Sequence, residues 1–206
     1  MREVVRGVVA GVVVLALLGA IASRTGVIAT DVPRPDGSGA WLLSRVTGMT
    51  AFIALSLDVI VGLLVSSRAG DRWLPRAHTI DLHGWLSPIG LALVLGHAVV
   101  LLADRYIHFD LIDVVVPFAS SYRPFAVGLG VIAAYLAVVV HASFGLRKRI
   151  GVKTWRRLHY ISFVAFVAAA AHAILAGSDS GRPWAIALYA TPLVIAGALI
   201  VRRLKK

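Results

Sequence analysis

Six long apolar runs divide the chain, at about residues 5–22, 41–65, 80–103, 124–146, 158–176 and 184–201. Each is long enough to cross a hydrocarbon core about 30 Å thick. In lipid such a run has to be helical, because only there does a single segment satisfy its own backbone amides and carbonyls. The stretches between them, 31–39, 66–76 and 178–182, carry the Gly, Pro, Ser and Asp of turns. The pattern predicts an all-α integral membrane protein of six transmembrane helices, with 1–206 forming one domain. The connection 104–123 is less polar than the others. Its Phe109, Leu111, Ile112, Val114 to Val116 and Phe118 predict a short segment lying on the membrane surface.

Composition supports this picture. Hydrophobic residues make up 59% of the 206 and charged residues 15%, against about half and a quarter in soluble domains. Mean hydropathy is +0.85. Disorder, a coiled coil and an ordinary soluble enzyme are poor fits to these figures. A formal net charge of +11 would suggest nucleic acid in a soluble protein. In a membrane protein it reflects basic cytoplasmic loops, and no nucleic-acid partner is expected.

Orientation follows from where the basic residues fall. With the N-terminus inside, 15 of the 21 Lys and Arg lie on the cytoplasmic side, and only Glu3, Asp71 and Asp81 accompany them. Both termini are therefore expected in the cytoplasm of a cell (inner or plasma) membrane protein. The first run admits a second reading. Its basic start and Ala20-Ile21-Ala22 also fit a signal peptide, whose removal would leave five helices. The chain contains no cysteine, which excludes disulfides, thiolate metal sites, iron–sulfur clusters and cysteine nucleophiles.

Candidate chemistry lies with ionisable groups inside apolar helices, where they are costly and mark function. The third run holds His83 and His97, fourteen residues apart, and the fifth holds His159 and His172, thirteen apart. At 1.5 Å per residue the pairs span about 21 and 19.5 Å. Both runs cross in the same direction, so His83 and His159 fall at one depth and His97 and His172 at another. Two levels of facing imidazoles are what two stacked b-type haems need, and ligation at both axial positions favours electron transfer over oxygen chemistry. One feature fits poorly. Fourteen residues return an ideal helix to within about 40° of the same face, but thirteen leave His172 about 140° from His159.

Four buried histidines bonded only to helix neighbours are the plainer alternative. A metal site built directly on histidine is disfavoured, since the two levels are too far apart to share an ion. His78 and His108 fall at a helix end and in a loop. His141, inside the fourth run, is a spare ligand or a packing residue. Asp58, in the second run, either accepts a hydrogen bond from a ligand histidine or pairs with a helix neighbour while protonated.

His83 with His97, His159 with His172, the lead-in Trp155-Arg156-Arg157-Leu158-His159, the six-helix frame and the segment VPFASSYRPFAVGLG over 116–130 together resemble the ferric-reductase-like transmembrane domain. This is the haem core of ferric reductases and NADPH oxidases, here as in bacterial stand-alone members. The resemblance implies two haem b groups, an inner one on His83 and His159 and an outer one on His97 and His172. It also implies a role for Arg45 near the outer haem and its acceptor, where a snorkelling arginine is the alternative. Arg123 is a second candidate for haem propionates. Trp155, Arg156 and Arg157 either contact inner propionates or anchor the helix end.

Family members with a reductase domain carry flavin and nicotinamide modules after the sixth helix. Here Arg202 to Lys206 follow, and no G-x-G-x-x-G motif occurs. The implied donor is a separate cytoplasmic flavoprotein, carrying the flavin, or a quinol. The implied acceptor lies outside: a ferric chelate, a flavin, oxygen or a periplasmic reductase. A related branch is the haem subunit of a periplasmic methionine sulfoxide reductase system, which is similar in size and topology. A non-redox transporter or scaffold is the alternative from another class.

Overall fold

The computed structural model describes residues 39–71, 74–104 and 107–205. The first apolar run and its Ala20-Ile21-Ala22 lie outside the described residues. The described residues form seven helices: α1 (Gly39–Ser67), α2 (Arg76–Leu101), α3 (Leu111–Val115), α4 (Pro124–Ile150), α5 (Val152–His159), α6 (Ile161–Ala176) and α7 (Pro183–Leu204). With α5 and α6 taken as one span, five helices are long and apolar enough to cross a membrane. They coincide with the second to sixth apolar runs. The described residues contain no strand.

The helix ends follow local chemistry. Proline opens α4 and α7, where its missing amide costs no hydrogen bond. Arg147, Lys148 and Arg149 occupy the last turn of α4, against the negative end of the helix dipole. Gly151 then turns the chain into α5 at φ +81°, a conformation open to glycine without a Cβ clash. The fifth crossing begins earlier than its apolar run predicts, because the basic, amphipathic stretch VKTWRRLH is itself helical.

That crossing is also not one continuous helix. It breaks at Tyr160, whose amide approaches both the Arg156 and Arg157 carbonyls, while the Phe163 amide reaches back to the Tyr160 carbonyl. Such i→i+3 bonding turns the chain about 120° per residue instead of about 100°. The break lies between His159 and His172 and shifts their relative phase by about 20° for each residue so bonded. The apolar pattern over 158–176 gives no sign of this distortion, which takes up part of the offset of about 140° between His159 and His172.

α1 and α2 pack antiparallel, as do α4 and α6, and α7 covers α1. The close approach of α1 to α2 depends on small residues: a Cβ added at Gly90 would meet Leu55 Cδ2 at 2.7 Å. Phe52, Phe166 and Tyr189 join α1, α6 and α7 in one aromatic cluster, with Phe52 stacked on Phe166 at 6.2 Å and edge-on to Tyr189 at 5.4 Å. Leu193 and Ala196 of α7 complete this core. The outward faces are apolar, with Trp85, Leu95, Phe125 and Val194 all exposed. A belt of that kind suits lipid and would be an aggregation liability in water.

Within the 104–123 connection the described residues form one short helix, α3. Asp110 and Asp113 cap its first turn reciprocally. Leu111 and Ile112 are exposed, while Phe109 is buried. Phe118 lies against α4 at Gly128, where a Cβ would clash with its ring.

Candidate functional site

α2 and α6 make little direct backbone contact, and the four histidines lie in the space between the two helix pairs. The rings of His83 and His159 face each other with centroids 6.0 Å apart, and those of His97 and His172 with centroids 6.3 Å apart. The depth pairing read from residue spacing is therefore the pairing in the structure. Two imidazoles binding one metal from opposite sides, through bonds of about 2 Å, place their ring centres about 6 Å apart. Both pairs have that spacing. Among the described residues no group of three or more His, Asp or Glu converges as a metal site, so the arrangement offers two-histidine levels and no histidine–carboxylate triad.

Three of the rings are held in the same way. His97 Nδ1 lies 2.8 Å from the Ser44 carbonyl, His172 Nδ1 2.8 Å from the Ala126 carbonyl and His83 Nδ1 3.1 Å from the Asp58 carbonyl. A carbonyl can only accept, so Nδ1 carries the proton and the neutral ring keeps its lone pair on Nε2. Metal-bound histidines commonly make this contact, which orients the ring and raises its basicity.

A glycine stands one turn beyond each carbonyl and makes room for the ring. A Cβ at Gly48 would be 2.9 Å from His97 Cε1, at Gly62 3.0 Å from His83 Cε1, and at Gly130 2.6 Å from His172 Nδ1. Residue spacing alone does not single these glycines out as part of the site. A signal is nonetheless present: Gly48 and Gly62 are fourteen residues apart, the interval between His83 and His97 on the antiparallel neighbour.

His159 is held differently. Among the described residues no hydrogen bond to its ring occurs, and it stacks on Trp155 at 5.2 Å with planes 30° apart. Trp155 in turn meets Phe144 edge-on at 6.1 Å. The Trp155 Nε1 is buried and has no hydrogen-bond partner among the described residues.

Asp58 lies beside the first of these pairs. Besides its carbonyl, its carboxylate Oδ1 is 2.7 Å from His83 Nδ1. The other polar candidate in the membrane, His141, contacts Ser87 through Nδ1 at 3.1 Å and joins neither pair. His78 and His108 are exposed.

A cavity of about 290 Å³ is lined by Asp58, Ser87, His97, His172, Trp41, Arg45 and Asp179 among others. Its walls are mainly Ala, Val, Leu and Phe. Arg45 lines it, paired with the buried Asp179 and set over the Trp41 ring at 4.4 Å. Asp179 also binds Arg182 at 3.2 Å. Arg123 lies beyond the same end of α6, its Nη1 donating to the Leu175 carbonyl at 2.7 Å. Arg157 is exposed on α5. The Arg45 to Asp179 pairing is a tertiary contact of which sequence carries no sign.

No significant match to the chain was found among curated proteins or among solved structures. A family profile described as "Ferric reductase like transmembrane component" does match, over residues 47–170. The matched region is more than half of the chain and includes His83, His97 and His159, ending two residues before His172. With this match, and with paired histidines at two depths of a multi-pass membrane bundle, the chain belongs to the ferric-reductase-like transmembrane family.

Proposed function

We propose that this protein is a dihaem b-type membrane cytochrome that passes electrons from a cytoplasmic or membrane donor across the bilayer to an outer acceptor. The observation that carries the proposal is the pair of facing histidine levels, with centroids 6.0 and 6.3 Å apart and three rings presenting Nε2 because Nδ1 is bound to a carbonyl. His83 and His159 would hold the inner haem, and His97 and His172 the outer. When bound, each haem supplies a one-electron ferric/ferrous couple.

The chain supplies position and surroundings. The Ser44, Asp58 and Ala126 carbonyls aim three ligand rings, and Trp155 limits rotation of the fourth. Gly48, Gly62 and Gly130 let those rings lie flat against their helices. The apolar lining excludes water, and the low local dielectric makes each nearby charge count for more.

The end of the bundle bearing Arg147, Lys148, Arg149, Lys153, Arg156 and Arg157 would face the cytoplasm, as basic loops do. An acidic flavoprotein would dock there by charge complementarity, and a quinol is the membrane alternative. At the opposite end the Arg45 guanidinium would meet a haem propionate or an anionic acceptor such as a ferric chelate. Arg123 would hold the end of α6, and so His172, in place.

The direct test is a dithionite-reduced minus oxidised absorption spectrum of the purified protein, with haem quantified per chain. Two low-spin b-type haems per chain are expected. A folded, colourless preparation from haem-replete cells would refute the proposal and leave the histidines as packing residues.

A further inference from the structure

Helix α1 contains one device twice. Fourteen residues apart, Ser44 and Asp58 each offer a backbone carbonyl to a histidine Nδ1 of α2, at 2.8 and 3.1 Å. Four residues later, Gly48 and Gly62 each make room for that same ring. Positions 44 and 58 are therefore equivalent, one serving His97 and the other His83. A third copy on α4 pairs the Ala126 carbonyl and Gly130 with His172.

The copies differ in one respect. The Ser44 hydroxyl turns back to the Trp41 carbonyl at 2.9 Å, and Ala126 has no polar side chain. Asp58 adds a carboxylate, with Oδ1 2.7 Å from His83 Nδ1. Oδ1 is buried and makes no aligned hydrogen bond among the described residues, so it stands against Nδ1 as a close polar group while the Asp58 carbonyl takes the hydrogen bond. The level built on His83 and His159 thus has a carboxyl group against one ligand ring. The rings of His97 and His172 meet neutral carbonyls, and the Arg45–Asp179 ion pair and Asp104 line the same cavity.

A carboxylate so close to Nδ1 favours positive charge on the ring, and with the carbonyl holding the Nδ1 proton it makes Nε2 a stronger donor to whatever metal it binds. A stronger donor and a nearby negative charge both favour the ferric over the ferrous state. We propose that Asp58 is a positioning residue that sets the inner couple at a lower potential than the outer, and that residues 44 and 58 are the paired positions at which the two levels are tuned. This rests on the dihaem reading. Each transfer moves one electron from the inner ferrous to the outer ferric centre, with no bond made or broken and no proton moved. Outward flow is then downhill because of the side chain at position 58.

The test is a redox titration of the purified, haem-loaded full chain, followed by absorbance with haem counted per chain. His97→Ala, which keeps the inner level alone, identifies the inner midpoint. In wild type the inner midpoint should be the lower. Asp58→Asn should raise it, with about a tenfold shift in the ferric/ferrous equilibrium, or 59 mV for one electron, and leave the outer midpoint in place. Ser44→Asp should lower the outer midpoint by a similar factor. Two bound haems with midpoints unmoved by Asp58→Asn would overturn the inference while leaving the dihaem reading intact. So would an inner midpoint above the outer in wild type. If Asp58→Asn loses its inner haem, Ser44→Asp decides: a falling outer midpoint supports tuning at this position, and an unchanged one overturns it. Absence of haem from wild type would refute the underlying reading itself.

Discussion

Gly48 lies so close beneath the imidazole of His97 that a single methyl group at residue 48 would stand 2.9 Å from Cε1 of the ring. The ring cannot retreat without giving up its 2.8 Å hydrogen bond to the Ser44 carbonyl. The contact therefore ties a residue with no chemistry of its own to the placement of a candidate ligand.

Gly48→Ala and Gly130→Ala should each displace the ring above them and lower outer-haem occupancy at least severalfold, with the inner haem retained. In a helix interior, glycine to alanine by itself stabilises by about 0.5–1 kcal/mol, so a loss has to come from the ring. Gly84→Ala and Gly96→Ala, where a Cβ would meet nothing within 4 Å, are the controls. Haem per chain and thermal stability together read the result; equal occupancy in all four variants would show that the glycines serve helix packing alone.

His97→Ala or His172→Ala should remove the outer haem and spare most of the inner one, since the levels share no ligand. Haem per chain should fall from two toward one. Loss of both, or of neither, would break the depth assignment.

Arg45→Ala leaves the buried Asp179 carboxylate with Arg182 alone. Removing one partner of a buried ion pair costs on the order of 3 kcal/mol, so the thermal midpoint should drop. Adding Asp179→Asn should recover part of that loss, because the stranded charge is then gone. Electron delivery outward should stay impaired in the double variant, and full recovery of turnover would make Arg45 a purely structural residue.

Trp155→Ala removes the stacking partner of His159, the one of the four paired histidines with no hydrogen bond among the described residues. The inner level should keep its haem but lose a fixed ring orientation, seen as a shifted and broadened low-spin signal in electron paramagnetic resonance. Trp155→Phe, which can still stack, should restore most of the wild-type signal. An unchanged spectrum in Trp155→Ala would place the orienting force elsewhere.

How far the sequence reaches can be judged residue by residue. Hydropathy along the chain is enough for five of the spans that the structure describes, because a helix in lipid is dictated by its own backbone and side chains. It also assigns the two histidine levels, since rise per residue converts a spacing of fourteen or thirteen directly into depth. Local rules fail at Tyr160: the apolar pattern runs straight through it, and the tight turn that breaks the helix is a backbone event with no apolar signature. They fail again at the site's supports. That the Ser44 carbonyl meets His97, that Gly62 clears His83, that the Asp58 carboxylate turns to the ring and that Asp179 pairs with Arg45 all depend on the register and rotation of one helix against another. Hydropathy does not encode that register, because many rotations bury apolar surface equally well in lipid. Close packing of particular small residues selects one of them, and only the folded bundle contains that choice.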